Sequence, residues 1–440
     1  MAGSADLQSL GSKVSSLTTI LAAQLEAGKH PKPSFQKDGP ASYPSDPAIQ
    51  VPRHQLIDTL NDLLLLATGA SDYFFLHGGL FINHEKTTLD IMNQFDFFSR
   101  VPLDQSASYS EVAASLDIPE DITRRTFRYA FTMRIFAPDP QDDDRVMHTA
   151  FSAHMARNLL LRSWVGHALE EAGGASHHAA DALRKFNSGR SSLSQDLHET
   201  PFGLSWPRLN DGRLADYWSV GQDDPKEAWR AQRFAEAMQA SVLSGVVQAD
   251  EVVTKYDWKS LGSASIVDVG GSDGSLAALL ARKHPSLRFT VQDLPRVKEE
   301  FIAQDYSDIA DRIIFKGQDF FKPQPEKADV FLMKHVLHNW PDKYAVKILR
   351  NLVAGLNSGG HIIICDSVVP SEKEAEDLPI SVKKTIAAAD MQMFVMLNSK
   401  ERTARDWTDL AKSADPRLRV AALHAVPGAV VSLLDLVLDE

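Results

Sequence analysis

Three glycines and an acid stand close together in the stretch SIVDVGGSDGSLAALLARKHPSLRFTVQDLP, which runs from residue 265 to residue 295. Gly270, Gly271 and Gly274 follow a short apolar run and precede a helical pattern, as in a loop where the backbone approaches a ligand. Their spacing differs from the GxGxxG fingerprint of dinucleotide sites. Asp268 comes directly before them. An acid at this position disfavours a neighbouring pyrophosphate and favours a cation or a ligand amine.

Two further apolar runs end in residues that would complete a nucleoside site. The run RFTVQD ends in Asp293, whose carboxylate can accept both hydroxyls of a ribose. The run RIIFKGQDFF places Asp319 and Phe320 where they can hold the edge and the face of an adenine. A ribose acceptor, an aromatic wall and acids near a positive charge describe a site for S-adenosylmethionine better than a site for a dinucleotide.

The elements that must position these residues alternate along the last third of the chain. The apolar runs SIVDVG, RFTVQD, ADVFLMKHVLH and GGHIIICDSVVP alternate with the helical stretches SLAALLARKH and KYAVKILRNLVAGL. This alternation is typical of a parallel sheet with crossover helices. We therefore predict that residues 259–440 form a doubly wound, Rossmann-like α/β domain that binds the cofactor and carries out the chemistry.

The chain ahead of this domain has a mainly helical pattern. We predict an N-terminal helix with a Pro- and Ser-rich linker at residues 1–50, a winged-helix-like domain at 51–160, and a helical connecting region that forms a substrate wall at 161–258. In the second of these, a helix-turn-helix pattern around IPED precedes the Pro-rich and acidic APDPQDDD, which we expect at the tip of a hairpin wing.

Winged helices often bind DNA, and the predicted second helix carries four arginines. The predicted wing, however, carries four aspartates that would repel the phosphate backbone. The whole chain has 46 Lys and Arg against 58 Asp and Glu, a formal charge of -12. We therefore expect a packing or dimerisation module and no nucleic-acid partner. The arginines are Arg124, Arg125, Arg128 and Arg134, and the aspartates are Asp139, Asp142, Asp143 and Asp144.

The composition indicates the compartment. Of the 440 residues, 44% are hydrophobic and 24% charged, as in an ordinary globular protein. Cys365 is the only cysteine, so no disulfide can form within the chain, and a reducing compartment is expected. No stretch reaches the roughly 18 to 20 apolar residues of a membrane span, and the first residues lack the pattern of a signal peptide. We therefore expect a cytoplasmic protein that does not enter a membrane.

Six motifs occur in a fixed order in the second half of the chain: VDVGGSDG, QDLP, GQDFF, MKHVLHNWPD, CDSVVP and NSKERTARDW. Together they resemble the class I S-adenosylmethionine-dependent O-methyltransferases of the caffeate and flavonoid type, in the branch found in fungal secondary metabolism. The resemblance implies that the winged-helix-like region is a dimerisation domain and that the protein is a homodimer.

The resemblance also assigns roles by position. His338 in LHNW matches the catalytic base, and Asp366 and Glu401 match the two acids that orient it. Ser272 stands where the family commonly has a third glycine, and Asp366 is one methylene shorter than the glutamate of plant members. The residues that match the cofactor site are Gly270, Gly271, Asp293, Asp319, Phe320 and Lys334.

The chemistry suits these residue types. Methyl transfer to a hydroxyl is an in-line displacement at a carbon already activated by a sulfonium, so the protein supplies orientation and a base, and we expect no metal. A histidine with an ordinary pKa of about 6.5 suits removal of a phenol proton. We interpret the nearby His335 as structural.

A flat aromatic or polyketide-derived substrate is expected to meet a mostly apolar wall. Adaptable methionines in ADMQMFVML would suit such a ligand, although core packing explains them equally well. The candidate wall residues are Met391, Met393, Met396, Phe202, Trp206 and Trp229.

One alternative keeps the fold and changes the reaction. A pericyclase would bind a polyketide-derived ligand and catalyse dehydration or cycloaddition without methyl transfer, with Lys334 or His338 polarising a carbonyl. The intact LHNW and SKERT motifs favour methyl transfer. A DNA-binding regulator that senses S-adenosylmethionine is a third hypothesis, which the acidic wing disfavours.

Overall fold

The computed structural model describes residues 6–209, 212–220, 225–243, 253, 256–425 and 431–439. The chain divides into two compact units, each assembled from separate segments. The first unit comprises residues 1–173, 226–241 and 379–381, and the second comprises residues 174–225, 242–378 and 382–440. The four-part division expected from the sequence stays a prediction.

The first unit is mainly helical. Where the sequence offers a capping box, a helix begins: Ser108 accepts a hydrogen bond from the backbone N–H of Glu111, whose side chain accepts from the N–H of Ser108. None of the helices in the described part of the chain combines the length and apolar character needed to cross a membrane. The α-helices of this unit are Leu7–Ala27, Pro47–Thr68, Ala70–Asp72, Ile82–Gln94, Phe97–Arg100, Tyr109–Leu116, Glu120–Thr132, Ala150–Arg157, Leu159–Gly166 and most of Trp229–Leu243, and its π-helices are Tyr73–Phe81 and His167–Ala172.

A small three-stranded sheet flanks two of these helices, Tyr109–Leu116 and Glu120–Thr132. Its strands are β1 (Ala107–Ser108), β2 (Phe136–Asp139) and β3 (Asp142–His148). β2 and β3 form an antiparallel hairpin, and β1 pairs with the other edge of β3. Two helices followed by a hairpin are the order of elements predicted for the helix-turn-helix and its wing.

Arginines on the second of these helices are engaged within the protein. Arg124 lies 2.5 Å from Asp144 on β3 and 2.6 Å from Glu120 on its own helix. Arg125 lies 3.6 Å from Asp121. An arginine that the sequence offered for phosphate binding is thus neutralised by the acidic wing.

The second unit is built on an eight-stranded sheet. Its strands are β4 (Ser265–Val269), β5 (Arg288–Asp293), β6 (Ile313–Gly317), β7 (Ala328–Lys334), β8 (Leu356–Val369), β9 (Arg402–Thr403), β10 (Leu418–Ala425) and β11 (Val431–Leu438). They are ordered β10-β11-β8-β7-β4-β5-β6, with β9 beside β8. Neighbours from β6 through β8 run parallel, whereas β11 runs antiparallel to both β8 and β10.

Helices cover both faces of this sheet. Ile266 on β4 packs into a core that includes the helix Ser275–Lys283, and its neighbour Val267 packs into a core that includes the helices Asp342–Gly355 and Ala404–Ala414. Alternate residues of a strand point to opposite faces, so each buried side chain contributes about 1.5–3 kcal/mol to one core or the other. This arrangement confirms the predicted doubly wound α/β class.

The remaining helices of the second unit are short or flank the sheet. The α-helices are Gly173–His177, Ala179–Ala182, Pro201–Ser205, Lys298–Ile302 and most of Ile380–Leu397. Leu183–Asn187 is π-helical, and the 3-10 turns are Trp258–Leu261, Pro295–Val297, Ser307–Ile309 and Leu337–Asn339, while the 3-10 turn Pro225–Glu227 begins in this unit and ends in the first.

The chain reverses its direction across the sheet at β4. From β4 it proceeds through β5 to β6 on one side, and it then returns to β7 and β8 on the other side. In open parallel sheets, ligands bind beyond the carboxyl ends of the strands at such a switch point. The loops after β4, β5 and β7 therefore surround the expected ligand site.

Candidate active site

The glycine loop after β4 is tightly enclosed. Gly270 has φ +73° and donates a hydrogen bond to the carbonyl of Gln292 at 2.7 Å. A Cβ at Gly270 would lie 2.9 Å from a methyl group of Val336, and one at Gly271 would lie 2.8 Å from the Asp268 carboxylate. Both glycines are therefore required, Gly270 by its left-handed backbone and both by the close approach of other groups.

Asp293, at the end of β5, faces this loop. Its Oδ2 accepts a hydrogen bond from the backbone N–H of Ser272 at 3.0 Å, and its Oδ1 accepts one from Leu294 at 2.7 Å. Burial raises the pKa of Asp293, although these two hydrogen bonds oppose the shift. Each carboxylate oxygen keeps a further lone pair, so the group is held in place to accept two ribose hydroxyls.

Asp268 is buried beneath the glycine loop. Among the described residues its Oδ2 has no hydrogen-bond partner. Burial raises the pKa of Asp268 to about 7, against the attraction of Lys334 at the end of β7. A buried oxygen without a partner, next to a turn that admits only glycine, fits a ligand that brings a positive group, as S-adenosylmethionine does.

The loop after β6 carries Asp319 and Phe320, whose contacts with an adenine stay a prediction. Asp319 Oδ1 accepts a hydrogen bond from the backbone N–H of Phe321 at 2.8 Å, which fixes the carboxylate. The carbonyl of Phe320 accepts one from Asn351 at 2.9 Å. The ring of Phe320 lies edge-on to Trp340, with centroids 5.7 Å apart. Both predicted residues thus have defined positions on the same loop.

His338 lies on the 3-10 turn that follows β7. Its Nδ1 is 2.9 Å from Oε1 of Glu401, whose side chain is buried. Because a carboxylate oxygen accepts and does not donate, the proton is assigned to Nδ1, and Nε2 is left as the acceptor. Burial tends to lower the pKa of His338, but the charges of Asp366 and Glu401 raise it above the ordinary value.

Asp366, on β8, acts on this histidine differently from Glu401. Burial raises the pKa of Asp366 to about 7, against the attraction of His338. The backbone N–H of His338 also lowers this pKa, but among the described residues neither carboxylate oxygen makes a hydrogen bond of good geometry. Of the two acids predicted to orient His338, Glu401 bonds to the ring, and Asp366 influences it through charge.

His335 lies next to this pair. Its backbone has φ +53°, its N–H donates to the carbonyl of Cys365 at 3.0 Å, and its Nδ1 is 3.8 Å from Asp366. His335, His338 and Asp366 each offer a ligand atom, and within the described ranges they are the group compact enough for a metal ion, at separations up to 4.8 Å. Methyl transfer needs no metal, and the expectation of a metal-free site stays a prediction.

Three residues of the site were not identified from the sequence. The Oδ1 of Asp390 accepts a hydrogen bond from the backbone N–H of Glu401 at 2.8 Å. Ser399 and Arg402 bond to the carbonyls of the turn that carries His338. The available signal was their position within or near NSKERTARDW, beside the predicted orienting acid.

The candidate substrate wall is partly assembled. The ring of Phe202 is fully buried, stacked on Trp206 at 5.4 Å and edge-on to Tyr217 at 5.5 Å. Trp218 stacks on Trp340 at 5.6 Å, two residues after His338. Phe202 is therefore buried behind the half-buried Trp206, and the role of both residues in a substrate wall stays a prediction.

The methionines of Ile380–Leu397 differ in exposure. Met391 is exposed, Met393 is half-buried and Met396 is buried in the core. Trp229 belongs to the first unit, where the guanidinium groups of Arg230 and Arg233 lie over its ring at 4.3 and 4.5 Å. Of these four side chains, Met391 and Met393 are the two that belong to the second unit and are accessible to solvent.

Comparison with known proteins identifies the family. A model of the O-methyltransferase domain matches residues 189–415. The O-methyltransferase pgmB of Aspergillus terreus is 31% identical, over 98% of this chain and 96% of the relative. The chain belongs to the O-methyltransferase family. A second relative of this O-methyltransferase, lcsG of Purpureocillium lilacinum, is 31% identical over 91% of this chain and 87% of its own length.

Solved structures share the fold of this O-methyltransferase. OxaC in complex with SAH and oxaline superposes with a TM-score of 0.72 at 21% identity, covering 98% of this chain and all of that one. A pericyclic reaction enzyme superposes with a TM-score of 0.70 at 20% identity, covering 97% and 100%. At these identities the likeness shows the fold alone. The family cofactor is S-adenosylmethionine, which confirms the cofactor predicted from the residues.

Proposed function

We propose that this O-methyltransferase transfers a methyl group from S-adenosylmethionine to a hydroxyl of a phenolic or polyketide-type secondary metabolite, with His338 as general base. The observation that carries the proposal is the 2.9 Å contact between His338 Nδ1 and Glu401 Oε1. It leaves Nε2 able to accept a proton, and it orients the ring through a buried carboxylate.

The cofactor site uses the residues around the switch point of the sheet. When bound, S-adenosylmethionine supplies a methyl carbon that its sulfonium has already activated. Asp293 is positioned to hold the ribose, Asp319 and Phe320 the adenine, and Asp268 a positive group of the ligand. The residues we propose for this site are Asp268, Gly270, Gly271, Asp293, Asp319, Phe320 and Lys334.

The base removes the hydroxyl proton as the oxygen attacks. Nε2 of His338 takes the proton, and the imidazolium that forms is stabilised by the hydrogen bond to Glu401 and by the charge of Asp366. A positioned general base contributes about 10² to 10⁴ in rate. We propose Met393, Trp206 and Phe202 for the substrate wall, the last through its packing on Trp206.

A pericyclic reaction is the alternative, since a pericyclic reaction enzyme shares this fold. In that case His338 or Lys334 would polarise a carbonyl of a polyketide-derived ligand, and the cofactor would keep its methyl group. The hydrogen bond between His338 and a buried acid favours methyl transfer, because a base that gains a proton needs that acid.

We also propose that the protein is a cytoplasmic homodimer. The helix Pro47–Thr68 and the following π-helix leave Leu64, Phe74 and Phe75 exposed by 64%, 72% and 77%. Large apolar side chains that cluster at a surface mark protein contacts. A second copy of the chain is the partner that the dimerisation role of this region predicts.

The test combines binding with product analysis. Calorimetric titration with S-adenosylmethionine comes first, followed by mass spectrometry of reactions with a panel of phenolic and pyridone substrates. We expect a product heavier by one methyl group, which disappears in His338→Ala while cofactor affinity is retained. A product of unchanged mass, or one lighter by a water, would replace methyl transfer with a pericyclic reaction.

A further inference from the structure

One short segment makes four of the hydrogen bonds that hold the turn carrying His338. We call residues 399–402 the clamp segment. Ser399 Oγ donates to the carbonyl of His338 at 2.6 Å, and Arg402 donates to the carbonyls of Leu337 at 2.8 Å and Trp340 at 2.7 Å. Between them, Glu401 contacts the imidazole itself. Backbone and side chain of the base are thus fixed by neighbouring residues.

Arg402 is unusual within this segment because its side chain is fully buried. Its Nε and Nη2 donate to Oδ1 of Asp342 at 3.0 and 2.8 Å, and its guanidinium lies 5.1 Å from the ring centroid of Trp407. Burying a charge is costly unless its donors are satisfied. Here the planar fork reaches two carbonyls and a carboxylate from three nitrogens, whereas a lysine offers all its donors from one nitrogen.

The clamp segment is in turn attached to the sheet. Arg402 begins β9, and it pairs in register with Val368 on β8, two residues beyond Asp366. The guanidinium of Arg402 therefore connects the carbonyls of the turn to β8, the strand that carries Asp366. A shift of Arg402 would change the distance between His338 and Glu401.

We propose that Arg402 is a positioning residue that sets the place of the His338 turn, so that Nδ1 meets Glu401 and Nε2 faces the substrate hydroxyl. This inference rests on the proposed methyl transfer, because it assigns Arg402 to the base of that reaction. Ser399 supports the same turn through one further bond.

The test compares Arg402→Met and Arg402→Lys with Arg350→Met. Arg350 also donates to two carbonyls, those of Ser413 and Ala414, but at the end of another helix. We expect kcat to fall about 10- to 100-fold in both Arg402 variants, since small misplacements of a reacting group have effects of that size. In the Arg402 variants, KM for the cofactor should stay near wild type. In Arg350→Met, kcat should stay near wild type. Millimolar methylguanidine should partly restore the kcat of Arg402→Ala.

Two kinetic outcomes would overturn the inference. One is full kcat in Arg402→Met, and the other is an equal loss of kcat in Arg350→Met. Nitrogen-15 NMR of the His338 ring distinguishes a failure of the Arg402 inference from a failure of the proposed methyl transfer. If wild type transfers no methyl group, the Nδ1-protonated signature should still be present in wild type and lost in Arg402→Met. An unchanged signature in that variant would reject the role of Arg402.

Discussion

Glu401 and Asp366 flank the same histidine, but only Glu401 forms a hydrogen bond with its ring, at 2.9 Å from Nδ1. We therefore expect Glu401→Gln to lower kcat more than Asp366→Asn does. Loss of the Glu401 charge also lowers the pKa of His338, which that charge now raises. Because the base must be neutral, the acid limb of the kcat/KM profile should move to lower pH in Glu401→Gln, with a lower plateau. An unchanged limb would show that this carboxylate does not tune the base.

Asp268 predicts how cofactor binding depends on pH. Its pKa of about 7 means that the carboxyl is largely protonated below neutrality. A positively charged ligand favours the ionised form, so binding lowers this pKa and releases a proton. Affinity should rise by up to about tenfold per pH unit up to about pH 7 and then level off. Calorimetry in two buffers of different ionisation enthalpy measures the proton release.

The control for this prediction is Asp308→Asn, which removes an exposed acid that pairs with Arg282. That variant should keep the wild-type pH dependence. In Asp268→Asn, affinity should be weaker and nearly independent of pH. Equal slopes in wild type and Asp268→Asn would mean that another group titrates.

The glycine loop can be tested against a matched glycine. Gly270 and Gly359 both have φ +73°, but a Cβ at Gly359 meets nothing within 4 Å, whereas one at Gly270 meets Val336. Gly359→Ala should lose about 1 kcal/mol of unfolding free energy from backbone strain alone. Gly270→Ala should lose more and should also bind the cofactor more weakly. Thermal unfolding and calorimetry measure both, and equal losses in the two variants would contradict the argument.

The exposed apolar side chains predict the mass in solution. Wild type should have the mass of a dimer by light scattering at micromolar concentration. Phe75→Asp should shift it to a monomer, because a charge on a buried interface is unfavourable. Ile302→Asp, at an exposed apolar residue of the second unit, should leave the dimer intact. A monomeric wild type would refute the homodimer.

The sequence was most informative where chemistry is local. The glycine loop, Asp293 and the alternation of strands with helices follow from neighbouring residues, since a turn that needs glycine or a strand that ends in an acid is visible in a few positions. Ser272, which replaces a glycine, still adopts φ +50°.

Contacts between distant segments were out of reach. Arg402 bonds to the turn of His338 across more than sixty residues of sequence, and no periodicity predicts which carbonyls accept from it. Among the described residues, the carboxylate oxygens of Asp366 have no hydrogen-bond partner, which the residue type alone does not predict. Trp229 was grouped with the wall by residue type, whereas the chain path places it in the first unit.

The first unit is completed by residues 226–241, which are synthesised after the first segment of the second unit. Glu170 and Glu171 bond to Arg230 and Arg233, and Glu171 is buried. Burial would raise the pKa of Glu171, but His167 and Arg233 lower it to about 2. A nascent chain ending at residue 173 keeps His167 beside Glu171 but lacks Arg230 and Arg233, and losing the charged partners of a buried acid costs about 3–5 kcal/mol. The ribosome must therefore synthesise residues 174–225 of the second unit before Arg230 and Arg233 can complete the first, so expressing residues 1–173 alone should give an unstable fragment.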